Sequence, residues 1–242
     1  MGAGYCYFCR KSDLMQLRVT GDGSHTLFLP HMNESYHSMF GAITESMHVF
    51  IREGLEYLRD YKSISILEAG FGTGLNALLT LVASENRSVS INYHTVENFP
   101  ISQDIAHRLN YPSLLIAGDP SGFFQLIHDA PWNETVAITP TFALHKIRED
   151  FTSFNPGFSY DLIYYDAFAP EKQPEMWSKD IFVRLFKHLT PGGVLTTYCV
   201  KGEVKRMLKE AGFTIEKLPG PPGKREMLRG RKSYECRVMS DE

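Results

Sequence analysis

The stretch SISILEAGFGTGLNALL, residues 63–79, decides the fold of this chain. It starts with a short apolar run that predicts a buried strand ending at Glu68. Three glycines at alternate positions follow, Gly70, Gly72 and Gly74, and the apolar residues after them predict a helix. A strand, a glycine-rich turn and a helix in this order open a βαβ unit, as in α/β domains that bind nucleotide-like cofactors.

The spacing of the glycines separates two kinds of cofactor. Nicotinamide-binding domains favour G-x-G-x-x-G, and the last glycine of that pattern would fall where this chain has Leu75. The acidic Glu68 stands just before the loop. A carboxylate suits S-adenosylmethionine, which carries an ammonium and a sulfonium group and no phosphate, but it would be poorly placed beside a pyrophosphate. We therefore expect Glu68 and the three glycines, Gly70, Gly72 and Gly74, to bind S-adenosylmethionine.

Two further carboxylates follow predicted strands. Glu97 comes after the strand of residues 91–96, near the interval of roughly 20 residues at which such domains place a ribose-binding acid. Its two oxygens suit the vicinal hydroxyls of a ribose, and an ordinary exposed glutamate is the alternative. Asp150 is a candidate acceptor for the adenine amino group. Because Glu149 is adjacent, a solvated acidic pair is an equally good interpretation.

The rest of the chain alternates between the periods of strands and helices. Further strands are predicted at residues 135–138, 141–147, 161–165, 194–200, 213–218 and 226–228. Helices are predicted at residues 41–60, 75–83, 101–109, 179–189 and 204–211. Thr139-Pro140 predicts a hairpin turn, and Pro191-Gly192-Gly193 is expected to end the helix before it. This order predicts a Rossmann-like α/β fold: a mostly parallel sheet with helices on both faces, an added β-hairpin, and the ligand at the carboxyl ends of the strands.

The chain divides into a short N-terminal segment and one larger domain. Residues 1–40 are expected to form a tail and a β-hairpin, and residues 41–235 a single Rossmann-like domain. Cys6 and Cys9 form a lone C-x-x-C without a second pair at zinc-finger spacing. A free tail without metal is therefore expected, with a zinc or redox role as the alternative.

Composition and charge are those of an ordinary globular protein. Hydrophobic residues make up 43% of the 242 positions, charged residues 22%, and the formal net charge is −3. This charge excludes a globally basic nucleic-acid binder but does not exclude a local basic patch. The sequence has no apolar run near the roughly 20 residues that cross a bilayer, and no segment of signal-peptide type. A cytoplasmic location without membrane partners is expected.

The segment YYDAFAP, residues 164–170, falls where the fourth core strand should end. Asp166 followed by an aromatic residue and a proline resembles the D/N-P-P-Y/F signature of amino-methyltransferases. An amine that attacks a methyl sulfonium must be neutral and in line with the C–S bond, and Asp166 can accept its proton or a hydrogen bond. Phe168 can offer an aromatic face to a planar base or to developing positive charge. The alternative for Asp166 is a turn residue at the strand end.

Two later features are candidates for substrate contact. Trp177 lies on the same connection and can line the substrate pocket, with plain packing at a helix entrance as the alternative. Six basic residues cluster near the C-terminus: Lys217, Lys224, Arg225, Arg229, Arg231 and Lys232. Beside a nucleotide-modifying site such a cluster can contact RNA phosphates, and otherwise it is a solvated face.

Several segments together resemble the methyltransferase domain of the MnmC family, bifunctional enzymes of wobble-uridine modification in tRNA. They are residues 68–76 (EAGFGTGLN), 97–100 (ENFP), 166–177 (DAFAPEKQPEMW), 191–193 (PGG), 211–213 (AGF) and 224–228 (KREML). The resemblance covers the chain from about Tyr36 to Gly230. It implies S-adenosylmethionine-dependent methylation of the primary amine of 5-aminomethyl-(2-thio)uridine, giving the 5-methylaminomethyl form.

The resemblance also implies roles for particular residues. Asn76 joins the cofactor-binding residues, and Tyr36 joins Trp177, Lys224 and Arg225 as contacts to the substrate or its RNA. Bifunctional relatives carry an FAD-dependent oxidase domain, for which this chain is too short. The stand-alone type is therefore expected, with tRNA as its partner and a separate enzyme supplying the aminomethyl group.

Two other functions stay open on the sequence alone. One is an amine methyltransferase or aminopropyltransferase-like enzyme acting on a small molecule, since sheet, loop and strand-end aspartate would look similar there. The KREML segment and the lack of a substrate-gating domain argue against it. The other is a non-catalytic module that binds RNA or a partner. Such a module should have lost Glu68, Glu97 or Asp166, and all three are present.

Overall fold

The computed structural model describes residues 15–85, 87, 89–115 and 120–234. The described chain begins with a small antiparallel sheet of β1 (Gln16–Val19), β2 (His25–Leu29) and β3 (Glu34–Ser35). In the β1–β2 turn, the Asp22 carboxylate accepts hydrogen bonds from the N–H and the hydroxyl of Thr44, each at 2.8 Å. These bonds fasten the sheet to the first helix. The predicted hairpin is confirmed, whereas Cys6 and Cys9 lie outside the described residues.

A larger sheet forms the centre of the molecule. In chain order its strands are β4 (Ser63–Ala69), β5 (Ser90–Val96), β6 (Thr135–Thr139), β7 (Phe142–Ile147), β8 (Tyr160–Tyr165), β9 (Leu189–Thr197), β10 (Thr214–Pro219) and β11 (Glu226–Arg231). In space they are ordered β10-β11-β9-β8-β4-β5-β7-β6. Five strands that are adjacent in this spatial order, β9, β8, β4, β5 and β7, run parallel to one another. The other three, β6, β10 and β11, are antiparallel to their neighbours. The prediction of a mostly parallel sheet with an added hairpin, β6–β7, is confirmed.

Helices cover both faces of this sheet, as predicted. The α-helices are α1 (Ala42–Ser46), α2 (Leu75–Glu85), α3 (Gln103–Ala106), α4 (Tyr111–Leu114), α5 (Pro120–Asp129), α6 (Lys179–His188) and α7 (Gly202–Glu210). Side chains alternate along β4: Ile64 and Ile66 pack with α2 and α5, while Leu67 and Ala69 pack in the apolar cluster that contains α6 and α7. Among the described residues, no helix is both long and apolar enough to cross a membrane.

The prediction of one helix over residues 41–60 is wrong. After α1 the chain forms a π-helix, Met47–Arg52, and then a 3₁₀-helix, Leu55–Leu58, with Gly54 between them. A Cβ at Gly54 would lie 2.4 Å from the Phe50 carbonyl oxygen and 3.2 Å from the Tyr164 ring. The turn therefore tightens where the backbone packs directly on β8, which an amphipathic pattern does not reveal.

Two other boundaries also differ from the predictions. The helix expected over residues 101–109 shortens to α3, because the Asn110 side chain turns toward β2 and accepts a hydrogen bond from the His25 N–H at 2.8 Å. Pro191-Gly192-Gly193 lies inside β9 instead of ending a helix. There the Gly192 N–H donates to the Lys232 carbonyl at 2.9 Å, so strand pairing continues through the glycines.

Candidate functional site

A cavity of about 1240 Å³ opens at the carboxyl ends of the parallel strands. Its walls come from the loops after β4, β5, β7 and β8, and from the N-terminal segment around β3. Pockets for one drug-sized ligand usually measure about 300–1,000 Å³. The cavity is therefore larger than is usual for one such ligand, and it lies where α/β sheets bind their ligands.

The glycine loop forms the floor of the cavity. Gly70, Gly72 and Gly74 have φ angles of +91°, +53° and +73°, which other residues rarely adopt. A Cβ on Gly72 would lie 3.2 Å from the Tyr36 ring, and one on Gly74 would lie 2.9 Å from His128 Nε2. The loop is thus packed against Tyr36 and His128. Gly70 and Gly72 line the cavity, whereas Gly74 does not, so the expected contact of Gly74 with the cofactor is not supported.

Glu97 joins the glycine loop to the loop after β5. Its Oε2 accepts a hydrogen bond from the Gly72 N–H at 3.1 Å, and its Oε1 accepts one from the Phe99 N–H at 2.8 Å. The side chain lines the cavity, and burial raises the pKa of its carboxyl group. Each carboxylate oxygen retains a second lone pair for a ligand hydroxyl. This geometry suits the predicted contact to a ribose diol.

Asp150 lines the cavity, and Glu149 does not. Asp150 Oδ1 accepts hydrogen bonds from the Thr152 N–H at 2.8 Å and the Thr152 hydroxyl at 2.7 Å. The carboxylate therefore stabilises its own loop as well as facing the cavity. Of the two adjacent acids, the structure favours Asp150 as the one within reach of a ligand.

Glu68 does not lie in the cavity, where its predicted contact with the cofactor would place it. It is completely buried beneath the cavity and is not among the residues that line it. Burial is the main reason that the pKa of Glu68 rises to about 8. The expected direct contact between Glu68 and the cofactor is therefore not supported. Asn76, in the first turn of the following helix, does line the cavity.

Asp166 follows β8 and faces the cavity. Its Oδ2 accepts a hydrogen bond from Asn76 Nδ2 at 2.8 Å. Burial raises the pKa of Asp166 to about 7, with Glu45 adding to the rise, while the Asn76 hydrogen bond and the Lys224 ammonium act against it. A carboxyl group with this pKa exchanges protons near neutral pH.

Two aromatic rings stand beside Asp166. Tyr36 and Phe168 meet edge to face, with 5.1 Å between ring centroids, and both line the cavity. Tyr36 comes from the N-terminal segment and Phe168 from the loop after β8. The structure thus brings together the predicted cofactor residues, except Glu68 and Gly74, with Asp166, Phe168 and Tyr36.

Trp177 also requires a correction, because it does not line the cavity. Its indole is buried against the rings of Tyr165 and Phe182, and its Nε1 donates to the Phe168 carbonyl at 2.7 Å. Trp177 therefore supports the Asp166–Phe168 loop from the protein interior. In this arrangement it does not contact a substrate in the cavity.

The basic cluster is dispersed and largely paired. Lys224 lies in the cavity wall, 2.5 Å from Glu45 Oε1 and 3.9 Å from the centroid of the Tyr198 ring. Ion pairs or carbonyl contacts also engage Lys217, Arg229, Arg231 and Lys232. Arg225 is exposed. The phosphate-binding role therefore stays a prediction for Arg225, whereas Lys224 lies at the end of the cavity near Asp166.

Glu45 and Tyr198 also line the cavity, and neither was predicted from the sequence. Glu45 Oε2 accepts a hydrogen bond from the Ser38 N–H at 2.9 Å, and the Tyr198 hydroxyl donates to the Ala167 carbonyl at 2.8 Å. Tyr198 follows a parallel strand directly, so its position could have been recognised. Glu45 lies in a helix and has no such signal. Within the described ranges, no three His, Cys, Asp or Glu side chains are arranged to hold a metal ion.

The chain is similar to known methyltransferases. Residues 132–233 match a family described as S-adenosyl-L-methionine-dependent methyltransferase. The tRNA 5-methylaminomethyl-2-thiouridine biosynthesis bifunctional proteins MnmC of Burkholderia thailandensis and Magnetococcus marinus are 32% and 34% identical, over 90% and 85% of this chain. The chain spans about a third of these relatives, 35% and 32% of their lengths.

Solved structures show the same fold. MnmC2 from Aquifex aeolicus superposes with a TM-score of 0.74 and 25% identity, over 94% of this chain and 72% of that one. Spermidine synthase from Thermotoga maritima gives a TM-score of 0.54 and 11% identity, over 88% of this chain and 69% of that one, which concerns the fold alone.

Proposed function

We propose that the chain is an S-adenosyl-L-methionine-dependent methyltransferase related to the methyltransferase part of the MnmC proteins, and that it methylates a wobble uridine of tRNA. The proposed acceptor is the primary amine of 5-aminomethyl-(2-thio)uridine, and the product is the 5-methylaminomethyl form. The proposed partners are tRNA and a separate enzyme that supplies the aminomethyl group. We further propose one domain over residues 41–235, whose cavity the N-terminal segment helps to close.

The observation that carries this proposal is the position of Asp166. Its buried carboxyl group faces the cavity at the end of β8, is held by Asn76, and has a pKa of about 7. A primary amine is protonated in water and must lose a proton before it can act as a nucleophile. Asp166 in its carboxylate form can accept that proton and keep the amine lone pair directed into the cavity.

The other side chains of the cavity divide between two ligands. The glycine loop, Glu97 and Asp150 would hold S-adenosylmethionine, which supplies an electrophilic methyl group when bound. Tyr36 and Phe168 would pack against a planar base on the side of Asp166. A cavity of about 1240 Å³ accommodates both.

Nucleoside analysis of bulk tRNA tests the substrate. Cells that lack this protein should accumulate 5-aminomethyl-(2-thio)uridine and lose its methylated form, and re-expression should reverse both changes. Unaltered levels of the two nucleosides would contradict the proposal.

The rate of methyl transfer should rise with pH through about 7. The raised pKa means that Asp166 is half protonated there, and a protonated carboxyl group cannot accept a proton. The Lys224 ammonium lowers this pKa, so Lys224→Met should move the inflection to higher pH. Single-turnover rates across the pH range measure both effects. A rate that is level across neutral pH would show that Asp166 is not the base.

Arg225→Ala should weaken tRNA binding and reduce the slope of log affinity against log salt by about 1, as expected for one lost phosphate contact. Lys224→Ala should leave the slope nearly unchanged, because its ammonium is already paired with Glu45. Arg206, exposed on α7 and outside the cavity lining, provides a matched control. Equal changes in slope for Arg225→Ala and Arg206→Ala would argue against a specific contact.

A further inference from the structure

A buried polar cluster lies beneath the cavity, and the proposed function uses only one of its members, Asn76. The cluster contains Glu68 of β4, Tyr93 and Thr95 of β5, and Asn76 of α2, and all four are buried. Glu68 and Thr95 are partners in the parallel register of β4 and β5, so their side chains lie side by side on one face. Tyr93, two residues before Thr95, is on the same face.

Each member of this cluster has a buried polar atom without a hydrogen-bond partner. These atoms are both carboxyl oxygens of Glu68, Asn76 Oδ1, Tyr93 Oη and Thr95 Oγ1. Thr95, Asn76 and Tyr93 lie near enough to Glu68 to lower its pKa as donors, yet none is in good hydrogen-bonding geometry with a carboxyl oxygen. Among the described residues, no cation forms an ion pair with Glu68.

A buried carboxylate without an ion pair is very costly, and such groups usually stay protonated. Burial, with a contribution from the negative charge of Asp166, raises the pKa of Glu68 to about 8. At neutral pH Glu68 is therefore mainly a carboxylic acid, with one O–H to donate. Among the unpartnered atoms of the cluster, Asn76 Oδ1 can only accept, whereas the hydroxyls of Tyr93 and Thr95 can donate to the carboxyl group.

The orientation of the Asn76 amide matters for the reaction. Its Nδ2 donates to Asp166 Oδ2 at 2.8 Å. If the amide turned over, its oxygen would face the Asp166 carboxylate and repel it. A donor at the opposite end of the amide prevents this, and Glu68, which interacts with Asn76, can provide one in its protonated form.

We propose that Glu68 is an uncharged positioning residue whose carboxyl O–H donates to Asn76 Oδ1, so that the amide holds Asp166 toward the substrate amine. This proposal rests on the proposed function, because Asp166 acts on an amine there. Cofactor affinity should depend little on Glu68, since its side chain does not line the cavity.

Two substitutions separate this role from a charged contact to the cofactor. Glu68→Gln keeps a donor and an acceptor at similar positions without charge, and Glu68→Leu keeps a similar volume without hydrogen bonds. Both should bind S-adenosylmethionine within about threefold of the wild type by calorimetry. Glu68→Gln should retain most of the single-turnover rate, whereas Glu68→Leu should lose about tenfold or more, with the KM for tRNA unchanged.

A double substitution and a spectrum complete the test. Glu68→Leu should add nothing to the loss caused by Asn76→Ala, because both act through the same amide. The infrared difference between the wild type and Glu68→Gln at neutral pH should contain the band of one protonated buried carboxyl group, since the contribution of Asp166 is present in both proteins and cancels. The infrared band and the Glu68→Gln variant still test the proposed role of Glu68 if Glu68→Leu does not fold.

Three results would overturn the proposal: a loss of cofactor affinity of about tenfold or more in Glu68→Gln, the absence of the protonated carboxyl band, or a wild-type rate in a folded Glu68→Leu. Cofactor affinity and the infrared band need no tRNA. A wrong assignment of the tRNA substrate would therefore leave these two readouts intact and is distinguishable from a wrong role for Glu68.

Discussion

Asp166→Ala is expected to lower the rate of methyl transfer by about 100- to 10,000-fold, the usual contribution of a positioned acid or base. The substitution removes the carboxylate that we propose accepts the proton of the amine, and it leaves Asn76 Nδ2 without its acceptor. Affinity for S-adenosylmethionine should change by less than about tenfold, because the glycine loop and Glu97 are untouched. Single-turnover kinetics and calorimetry measure the two quantities separately.

Asp166→Asn is the matched control for this prediction. It keeps the shape of the side chain and can still accept a hydrogen bond from Asn76, but it cannot accept a proton. If proton acceptance matters, Asp166→Asn should be nearly as slow as Asp166→Ala, and its rate should lose the inflection near pH 7. Equal losses of rate and cofactor affinity would instead assign Asp166 to cofactor binding.

Glu97→Ala is expected to weaken S-adenosylmethionine binding by roughly 10- to 150-fold. A hydrogen bond to a charged group contributes about 1.5–3 kcal/mol, and here the ribose diol would lose its charged acceptor. The substitution also leaves the Gly72 and Phe99 N–H groups without the carboxylate that joins their loops. Calorimetric titration with the cofactor measures the effect directly.

Glu97→Gln separates the two contributions of this side chain. It retains an oxygen that can accept one of the two backbone N–H groups, so the loops should be better held than in Glu97→Ala while the charge is lost. Its affinity is expected to lie between those of the wild type and Glu97→Ala. A wild-type affinity in Glu97→Ala would rule out a ribose contact. In either variant, the rate at saturating cofactor should change less than in Asp166→Ala.

The βαβ unit could be predicted from the sequence because its signals are local. A buried strand, glycines with positive φ and an apolar helix leave their pattern within residues 63–79, and β4 and α2 lie where this pattern places them. The failure over residues 41–60 has the opposite cause. There the winding of the helix responds to Tyr164, which is far away in the sequence.

In the candidate site, too, the positions that depend on local sequence could be predicted, and those that depend on distant contacts could not. Glu97 and Asp166 come directly after parallel strands, so the topology alone brings them to one edge of the sheet. The sequence could not show how deeply each side chain is buried, and this is why Glu68 and Trp177 were expected in the cavity. The pairing of Lys224 with Glu45 joins distant parts of the chain, so no local pattern predicts it.

Methyl transfer to defined tRNA tests the central claim most directly. Purified protein would be incubated with methyl-labelled S-adenosylmethionine and either tRNA bearing 5-aminomethyl-(2-thio)uridine or the same tRNA without the aminomethyl group. We expect the label to appear in 5-methylaminomethyl-(2-thio)uridine with the first tRNA and to be absent with the second. Transfer to a small amine, with none to the aminomethyl-bearing tRNA, would contradict the account.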